Sequence, residues 1–559
     1  MTRSGGTWRY HFVLILLCFI LAGLIYRLVD LSFLDRIFLL KQSEARTIRI
    51  VSIPAHRGMI ADDLNSVLAL STPVYSAWIN PVLFHPTQLQ LNQLGQILNM
   101  RAASIQKLSL LNSKKTFVYL KRQNAPDVMQ KIDALQIPGI YFLMEYKRFY
   151  PEGEVAAHVV GLTNVDDQGQ EGLELAYNQW LAGTPGRKEV LKDRLGNTIA
   201  DLNLLKKPEE GRDLTLSIDH RIQYLAYRTL KEQVEKYHAA AGSVVVLNPK
   251  TGEILAMVNQ PSYNPNNRPT QHDGRYRNRA ATDSFEPGSV MKPFTITLAL
   301  ESKKYKPSDL INTNPGYMRI GGFLIKDDTE NGIINLTQIL QYSSNIGAAK
   351  ILLSLSPGDF WNLLRSMGFG DRTDSGFPGE NSGRLVAQPI WYPSDIATMA
   401  YGYGVSVTDL QLAHAYSIFA DDGKSTPVSF LKLNTNPGVT QIIPEKINRE
   451  LVSMLEADIT GKGAIEPVSN AAVFGYRVAG KTGTSYVAGS NGYDKKKYNS
   501  SFVGFAPVSN PQLVIAVTIR EPQGQHFGAI VAAPVFSKIM AGALRILNIA
   551  PDALTQKAA

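Results

Sequence analysis

Apolar residues run along this chain in three different patterns, and each predicts a different kind of element. Between Tyr10 and Val29 they are almost unbroken, with HFVLILLCFILAGLIY at the heart. A helix of about 20 residues spans about 30 Å, the hydrocarbon thickness of one bilayer, so a transmembrane helix is predicted over 10–29. His11 and Arg27 lie near its ends, where they reach head groups rather than hydrocarbon. The run closes on Arg27, Leu28, Val29 and Asp30 without the small-x-small pattern of a cleavage site, which favours an uncleaved anchor over a signal peptide. No second apolar stretch of that length is predicted, so the chain reads as single-pass.

From Ile48 to about Lys207 short apolar runs alternate with turns. Near 89–111, QLNQLGQILNMRAASIQKLSLL carries the three-and-four spacing of an amphipathic helix. The polar segment DLNLLKKPEEGRD, residues 201–213, holds a proline and a glycine and reads as a boundary between domains. Beyond it, SIDHRIQYLAYRTLKEQVEKY predicts a helix, and GSVVVLNPKTGEILAMV predicts two strands around a tight turn at Asn248–Gly252. Helical patterns dominate to about residue 460. Three strand-like runs follow, VAGKTGTS, SSFVGFAPV and QLVIAVTIRE, and then the helical APVFSKIMAGALRIL. An early hairpin, a helical insertion and late strands imply one α/β sandwich whose sheet pairs distant parts of the chain. The predicted organisation is a tail (1–9), the anchor (10–29), an α+β accessory region (30–207), an α/β domain (208–550) and a tail (551–559).

Composition narrows the function only a little. At 559 residues the chain exceeds one hydrophobic core, and its 44% hydrophobic and 19% charged residues are those of an ordinary globular protein. A net charge of +9 would suit nucleic acid, an anionic membrane surface or an acidic polymer equally. There is no aromatic-studded basic stripe and no finger spacing, so nucleic acid is not an expected partner. The single cysteine, Cys18, excludes an intrachain disulfide and a thiolate cluster, and the nine histidines show no HExxH spacing, so no metal is expected. Arg3 and Arg9 precede the anchor while Arg27, Arg36, Lys41, Arg46 and Arg49 follow it, so charge counting does not orient it.

Three short motifs carry chemistry. In FEPGSVMKPF a Pro287–Gly288 turn leads into a helix opening at Ser289, with Lys292 three residues on and on the same face. A desolvated lysine beside a serine can take its proton, giving a nucleophile without histidine, and the helix N-terminus offers N–H groups to an oxyanion. Ser343 and Asn345, in ILQYSSNIGAAKIL, interrupt two helical runs and can project a hydroxyl and an amide into a cleft, although helix capping would explain them equally well. Lys481, Thr482, Gly483 and Thr484 open the late strands. There Gly483 lets an extended peptide approach, Lys481 and the hydroxyls suit a carboxylate, and the Thr484 N–H can complete an oxyanion hole. Each motif has a decoy elsewhere in the chain, namely Ser104 with Lys107, Ser262 with Asn264, and Lys250–Thr251–Gly252. What gives the set its weight is the joint order S-x-x-K, S-x-N, K-T-G-T, each in a fitting local structure.

With those motifs in place the sequence resembles the penicillin-binding proteins, and among them the class B, division-specific (septal) transpeptidases. RNRAATDSFEPGSVMKPF resembles their nucleophile block; YGYGVSVTDLQLAHAYSIFADDG, VAGKTGTSYV and AAPVFSKIMAGALRILNIAPDAL resemble later blocks. IPAHRGMIADDLNSVLALS and KRFYPEGEVAAHVVGLTNVDDQGQEGLE resemble the noncatalytic, dimerisation-like pedestal. In the first of these, Asp62, Asp63, Leu64 and Asn65 stand where the family usually has Asp-Arg-x-Gly. The resemblance implies a serine penicillin-recognising fold, an antiparallel sheet flanked by helices with a helical subdomain, preceded by the α+β pedestal and the anchor. It also implies a D,D-transpeptidase that cross-links peptidoglycan, with Ser289 as nucleophile, Lys292 as base, Ser343 as proton relay and Asn345 holding the acyl chain. Lys481, Thr482, Gly483 and Thr484 would bind the substrate carboxylate, and the N–H groups of Ser289 and Thr484 would form the oxyanion hole. No cofactor is implied. The implied partners are D-Ala-D-Ala stem peptides, β-lactams, and glycan-polymerising and other division proteins of the inner membrane. The catalytic part would lie outside that membrane, at the division site. An elongation-specific paralogue, a β-lactam sensor or hydrolase, and a noncatalytic division scaffold are the alternative readings.

Overall fold

In the computed structural model the described residues are 7–193, 198–268, 274–435, 437–460, 469–489 and 492–553. Most of the predicted tail 1–9 and of the tail 551–559 therefore lies outside the described residues. The N-terminal apolar run forms helix α1 (Thr7–Val29), three residues longer at its start than expected and without a buried residue. An apolar helix exposed along its whole length needs a nonaqueous surrounding, as a bilayer supplies. The chain then divides into two compact units, 1–56 with 73–146 and 183–211, and 57–72 with 147–182 and 212–559.

The first unit has a small core of its own, built from Ala77, Ile79, Phe84, Leu91, Leu94, Leu98, Ile105 and Leu120 among others. The stretch predicted as one amphipathic helix is two, α2 (Gln88–Leu98) and α3 (Ala102–Leu111). Asn99 adopts a left-handed conformation (φ 53°) and ends α2, as asparagine tolerates and most residues do not. Each helix keeps the apolar face that the pattern shows. The same unit holds a three-stranded antiparallel sheet of β1 (Ile48–Ile53), β2 (Gly186–Lys192) and β3 (Thr198–Lys206), in that order. The segment read as a domain boundary, 201–213, opens inside strand β3, and the two units divide at 211/212. All residues of β3 are exposed, so it lacks the alternation that marks a half-buried strand. Cross-strand pairs hold it instead, Lys188–Asp201 at 2.8 Å and Asn203–Glu189 at 3.0 Å.

The second unit is an α/β sandwich. After helix α4 (His220–Lys236), strands β4 (Ala241–Leu247) and β5 (Ile254–Gln260) form the expected hairpin, turning at Asn248–Gly252. The late strands β6 (Ala479–Gly489), β7 (Gly492–Ala506) and β8 (Leu513–Arg520) complete an antiparallel sheet in the order β5-β4-β8-β7-β6. Its central strands are buried on both faces, which is why they read as unbroken apolar runs. One face packs on α4 and on a closing helix, Ala533–Ile546, through Ile222, Ala226, Leu230, Phe536, Ile539 and Met540. The segment Gly528–Ile546 is also long and apolar enough to cross a membrane, contrary to the single-run reading, but half of it is buried in this core.

Between the hairpin and the late strands lie four helices that frame the motifs: α5 (Lys292–Glu301), α6 (Asn345–Leu353), α7 (Asp409–Ala420) and α8 (Glu445–Thr460). Every residue of α5 from Lys292 to Leu300 is buried, so this helix is an axle around which α6 and α8 pack. The family-divergent turn at Asp62–Asn65 closes without glycine: Asn65 takes the positive φ (64°), and Asp62 Oδ1 accepts from the N–H groups of Leu64 and Ser66.

Candidate active site

Ser289 sits in a short 3-10 turn, Gly288–Met291, and α5 begins only at Lys292 rather than at the serine. Residues three apart eclipse in such a turn, so the seryl hydroxyl and the lysine share one side. Lys292 Nζ lies 2.8 Å from Ser289 Oγ. The turn is clamped from several directions. Gly288 has φ +62°, which a side chain would strain, and a Cβ on Gly402 would fall 2.1 Å from the Gly288 carbonyl oxygen. From α7, Tyr416 Oη donates to Val290 O at 2.8 Å.

The second motif reaches the same lysine. Lys292 Nζ donates to Ser343 O at 2.5 Å, to Ser343 Oγ at 3.0 Å and to Asn345 Oδ1 at 2.8 Å. Ser343 has a positive φ of 53°, a sparsely populated region for a residue with a side chain. Capping, the alternative for this motif, falls to the residue between: Ser344 Oγ accepts from Gly347 N at 2.9 Å and donates to Asp327 Oδ2 at 2.6 Å. Asp327 Oδ1 also accepts from Ile346 N. Ser343 and Asn345 are thereby left facing Lys292.

The third motif lies on β6, the edge strand of the sheet, whose outer row of backbone groups can pair with an extended peptide. Lys481 is 1% exposed, with Nζ 3.2 Å from Asp458 Oδ2 and 3.4 Å from Thr482 Oγ1. Thr484 Oγ1 accepts from Gly528 N at 3.1 Å, so that hydroxyl oxygen already has a partner. A Cβ on Gly483 would meet Ser501 Oγ at 2.3 Å and Pro287 O at 2.8 Å. The glycine therefore makes room for the turn that carries Ser289, a demand that approach of a peptide does not by itself explain.

Burial and the nearby Lys481 push Lys292 down to about 7, against the pull of Asp327, Asp328 and Asp458. Burial pushes Asp458 up to about 6, against Lys481 and Lys292. Near neutral pH the site can therefore hold a free amine 2.8 Å from a serine hydroxyl. Asp458 is the group that motif reading missed. Its one signal in the sequence is position: it continues the buried stripe Leu451, Met454 and Leu455 on α8, where an acid is out of place. The decoys have ordinary roles. Ser104 and Lys107 are exposed on α3, Thr251 Oγ1 bonds Glu253 in the hairpin turn, and Ser262 Oγ bonds Glu154 O.

Comparison with known proteins identifies the family. The penicillin binding protein transpeptidase domain matches residues 242–541, and the penicillin-binding protein dimerisation domain matches 52–216. The chain is 43% identical to a probable peptidoglycan D,D-transpeptidase PbpC of Pseudomonas aeruginosa, over 99% of this chain and 98% of that protein. It is 38% identical to the peptidoglycan D,D-transpeptidase FtsI of Escherichia coli K12, over 98% of this chain and 93% of that one. Among solved structures it is similar to penicillin binding protein 3 of Mycobacterium tuberculosis in complex with aztreonam, at 25% identity and a TM-score of 0.69, covering 90% of this chain and 98% of that one. With one domain matched over more than half its length and relatives aligned end to end, the chain belongs to the class B penicillin-binding proteins of the division-specific FtsI family.

Proposed function

We propose that this protein is a peptidoglycan D,D-transpeptidase of septal wall synthesis and that Ser289 is its nucleophile. The observation that carries the assignment is the buried Lys292 amine, 2.8 Å from Ser289 Oγ and pushed down to about 7. Lys292 takes the hydroxyl proton as Ser289 Oγ attacks the penultimate D-alanine carbonyl of a stem peptide. The N–H groups of Ser289 and Thr484 hold the oxyanion. Ser343, in contact with Lys292, passes the proton to the departing D-alanine amine, the C–N bond breaks, and a Ser289 ester remains. Asn345 holds the acyl chain. Lys481, Thr482 and Thr484, with Gly483 admitting the turn, bind the terminal carboxylate at the β6 edge. The amine of a neighbouring stem then attacks the ester, loses its proton through the same relay, and restores the seryl hydroxyl. β-Lactams present a similar amide and carboxylate and remain on Ser289 as a stable ester.

The substrate lies outside the cytoplasmic membrane, so α1 anchors the chain there with 208–550 on the outer side and 30–207 as the pedestal. Glycan polymerisation falls to a partner in the same membrane, because the region before 208 resembles the pedestal and not a glycosyltransferase.

The test is gel labelling of membranes with a fluorescent penicillin, comparing wild type, Ser289→Ala and the decoy variant Ser104→Ala. Stable labelling lost only in Ser289→Ala is expected, followed by cross-linking of stem peptides by wild type alone. A label that fades within minutes would move the protein to the hydrolases. A folded wild type that takes no label would overturn the assignment and leave a noncatalytic scaffold.

A further inference from the structure

Acyl transfer by this site asks opposite things of two lysines that share one buried region. Lys292 has to shed its proton, whereas Lys481 has to keep its own to hold a carboxylate. Both are almost fully buried, at 0% and 1% exposure, and two ammonium groups without water destabilise each other. One carboxylate lies with them. Asp458, 0% exposed in its side chain, places Oδ2 3.2 Å from Lys481 Nζ. It also pulls a proton towards Lys292, but less strongly than Lys481 pushes one away.

Among the described residues, the charged and titratable groups facing Asp458 come from three elements: Lys481 from β6, Lys292 from α5 and the Tyr416 phenol from α7. Asp327 and Asp328 act on Lys292 from its other side. Asp458 Oδ1 is buried without a hydrogen-bond partner among the described residues. A carboxylate that is only half satisfied is a poor structural element, since burying it costs more than its single contact returns. Its geometry fits another use. The carboxylate touches Lys481 directly and reaches Lys292 only through space, so it favours the proton on Lys481. The ammonium retained there then repels a proton on Lys292.

We propose that Asp458 is a positioning residue that allots the protons of this site, holding Lys481 as the ammonium that binds the substrate carboxylate and leaving Lys292 as the amine that activates Ser289. Asp458 bonds Lys481 and acts through the two lysines. The proposal rests on the assignment of Ser289 as nucleophile and deepens it.

The experiment measures the initial rate of acylation of the detergent-solubilised full-length chain by a fluorescent penicillin between about pH 5 and 10. It compares wild type with Asp458→Asn and Asp458→Glu. Without the carboxylate the ammonium that binds the substrate loses its counter-charge, so the alkaline limb of the Asp458→Asn profile is expected to fall by at least about one pH unit, with a peak rate down about 10- to 100-fold. Asp458→Glu keeps the charge and is expected to return the limb close to its wild-type position. Asp458→Ser, smaller and equally uncharged, gives the same reading if the asparagine variant does not fold. A purely structural role would lower the amplitude and leave the limb in place, and that result would overturn the proposal. If wild type takes no Ser289-dependent label, the failure belongs instead to the nucleophile assignment.

Discussion

Two clusters in the larger unit bury the same formal set of charges, two cations and one carboxylate, and make opposite use of it. In the first, Arg57 and Arg148 close on Glu174. Arg57 Nη2 lies 2.6 Å from Oε2 and Arg148 Nε lies 2.6 Å from Oε1, so both carboxylate oxygens are taken. Arg57 Nε also donates to Glu174 Oε2, its other donors go to Asp167 O, Asn178 Oδ1 and Glu174 O, and Arg148 Nη1 reaches Ser71 Oγ while Arg148 Nη2 is buried without a partner among the described residues. In the second, Lys292 and Lys481 share Asp458, which bonds one of them and leaves an oxygen without a partner among the described residues. A guanidinium keeps its proton at any physiological pH and fixes its partners in a planar fork, whereas a buried lysine can give its proton up. The first cluster is a permanent strut, and the second is titratable. Burial does not separate structural charge from working charge, and neither does one unpartnered atom, since each cluster has one among the described residues; the freedom to lose a proton does.

The largest effect should come from making the working cluster resemble the strut. Lys292→Arg keeps the charge and removes the ability to act as a base. Acylation by a fluorescent penicillin is expected to fall by about 10²- to 10⁴-fold, the usual worth of a positioned general base. A thermal melt by circular dichroism shows whether the variant is folded, and a folded variant labelled at the wild-type rate would end the distinction drawn between the clusters.

The reverse change addresses the strut. Glu174→Gln leaves two guanidinium groups buried against a neutral amide, and removing one partner of such a cluster typically costs about 3–5 kcal/mol. Urea denaturation should show that loss. The pH limbs of acylation by the folded protein should not move, because no proton of the working site is touched. A shifted limb would show that the clusters are coupled.

How far the sequence foretells this molecule follows from the same physics. The anchor, the hairpin and the late strands are legible because burial imposes a periodic or continuous apolar pattern on them. Strand β3 is not, since its fully exposed residues have no pattern to show. The break between α2 and α3 turns on one asparagine at φ 53°, which looks like any polar helix residue until the backbone is seen. Ser289, Lys292, Ser343, Asn345 and Lys481 can be picked out because the proposed chemistry demands particular residue types at particular spacings. Choosing which serine of Ser343–Ser344 caps the helix takes the fold, as does Asp458, which belongs to no motif and meets Lys481 only once α8 and β6 pack.

The smallest effect is also the most specific, and it lies in the pH dependence of stability. Lys292 titrates near its ordinary 10.5 in the unfolded chain and at about 7 when folded, so between those values the unfolded chain binds a proton that the folded one refuses. Stability therefore rises with pH over that window, by at most about 1.4 kcal/mol per pH unit for one proton. Asp458 has the opposite sign. Raised from 3.8 to about 6, it holds a proton in the folded chain that the unfolded chain has lost, and stability falls as pH rises from about 4 to 6. Urea denaturation at a series of pH values should show Lys292→Gln losing the rising slope above pH 7 and Asp458→Asn losing the falling one below pH 6. Glu174→Gln should be lower throughout and keep both. Slopes isolate the protons where absolute stabilities would not, because Lys292→Gln also breaks the contacts to Ser289, Ser343 and Asn345. A rising slope that survives Lys292→Gln would mean that the proton refused on folding belongs to another group, and the contrast between a fixed strut and a titrating site would then have to be drawn elsewhere in the molecule.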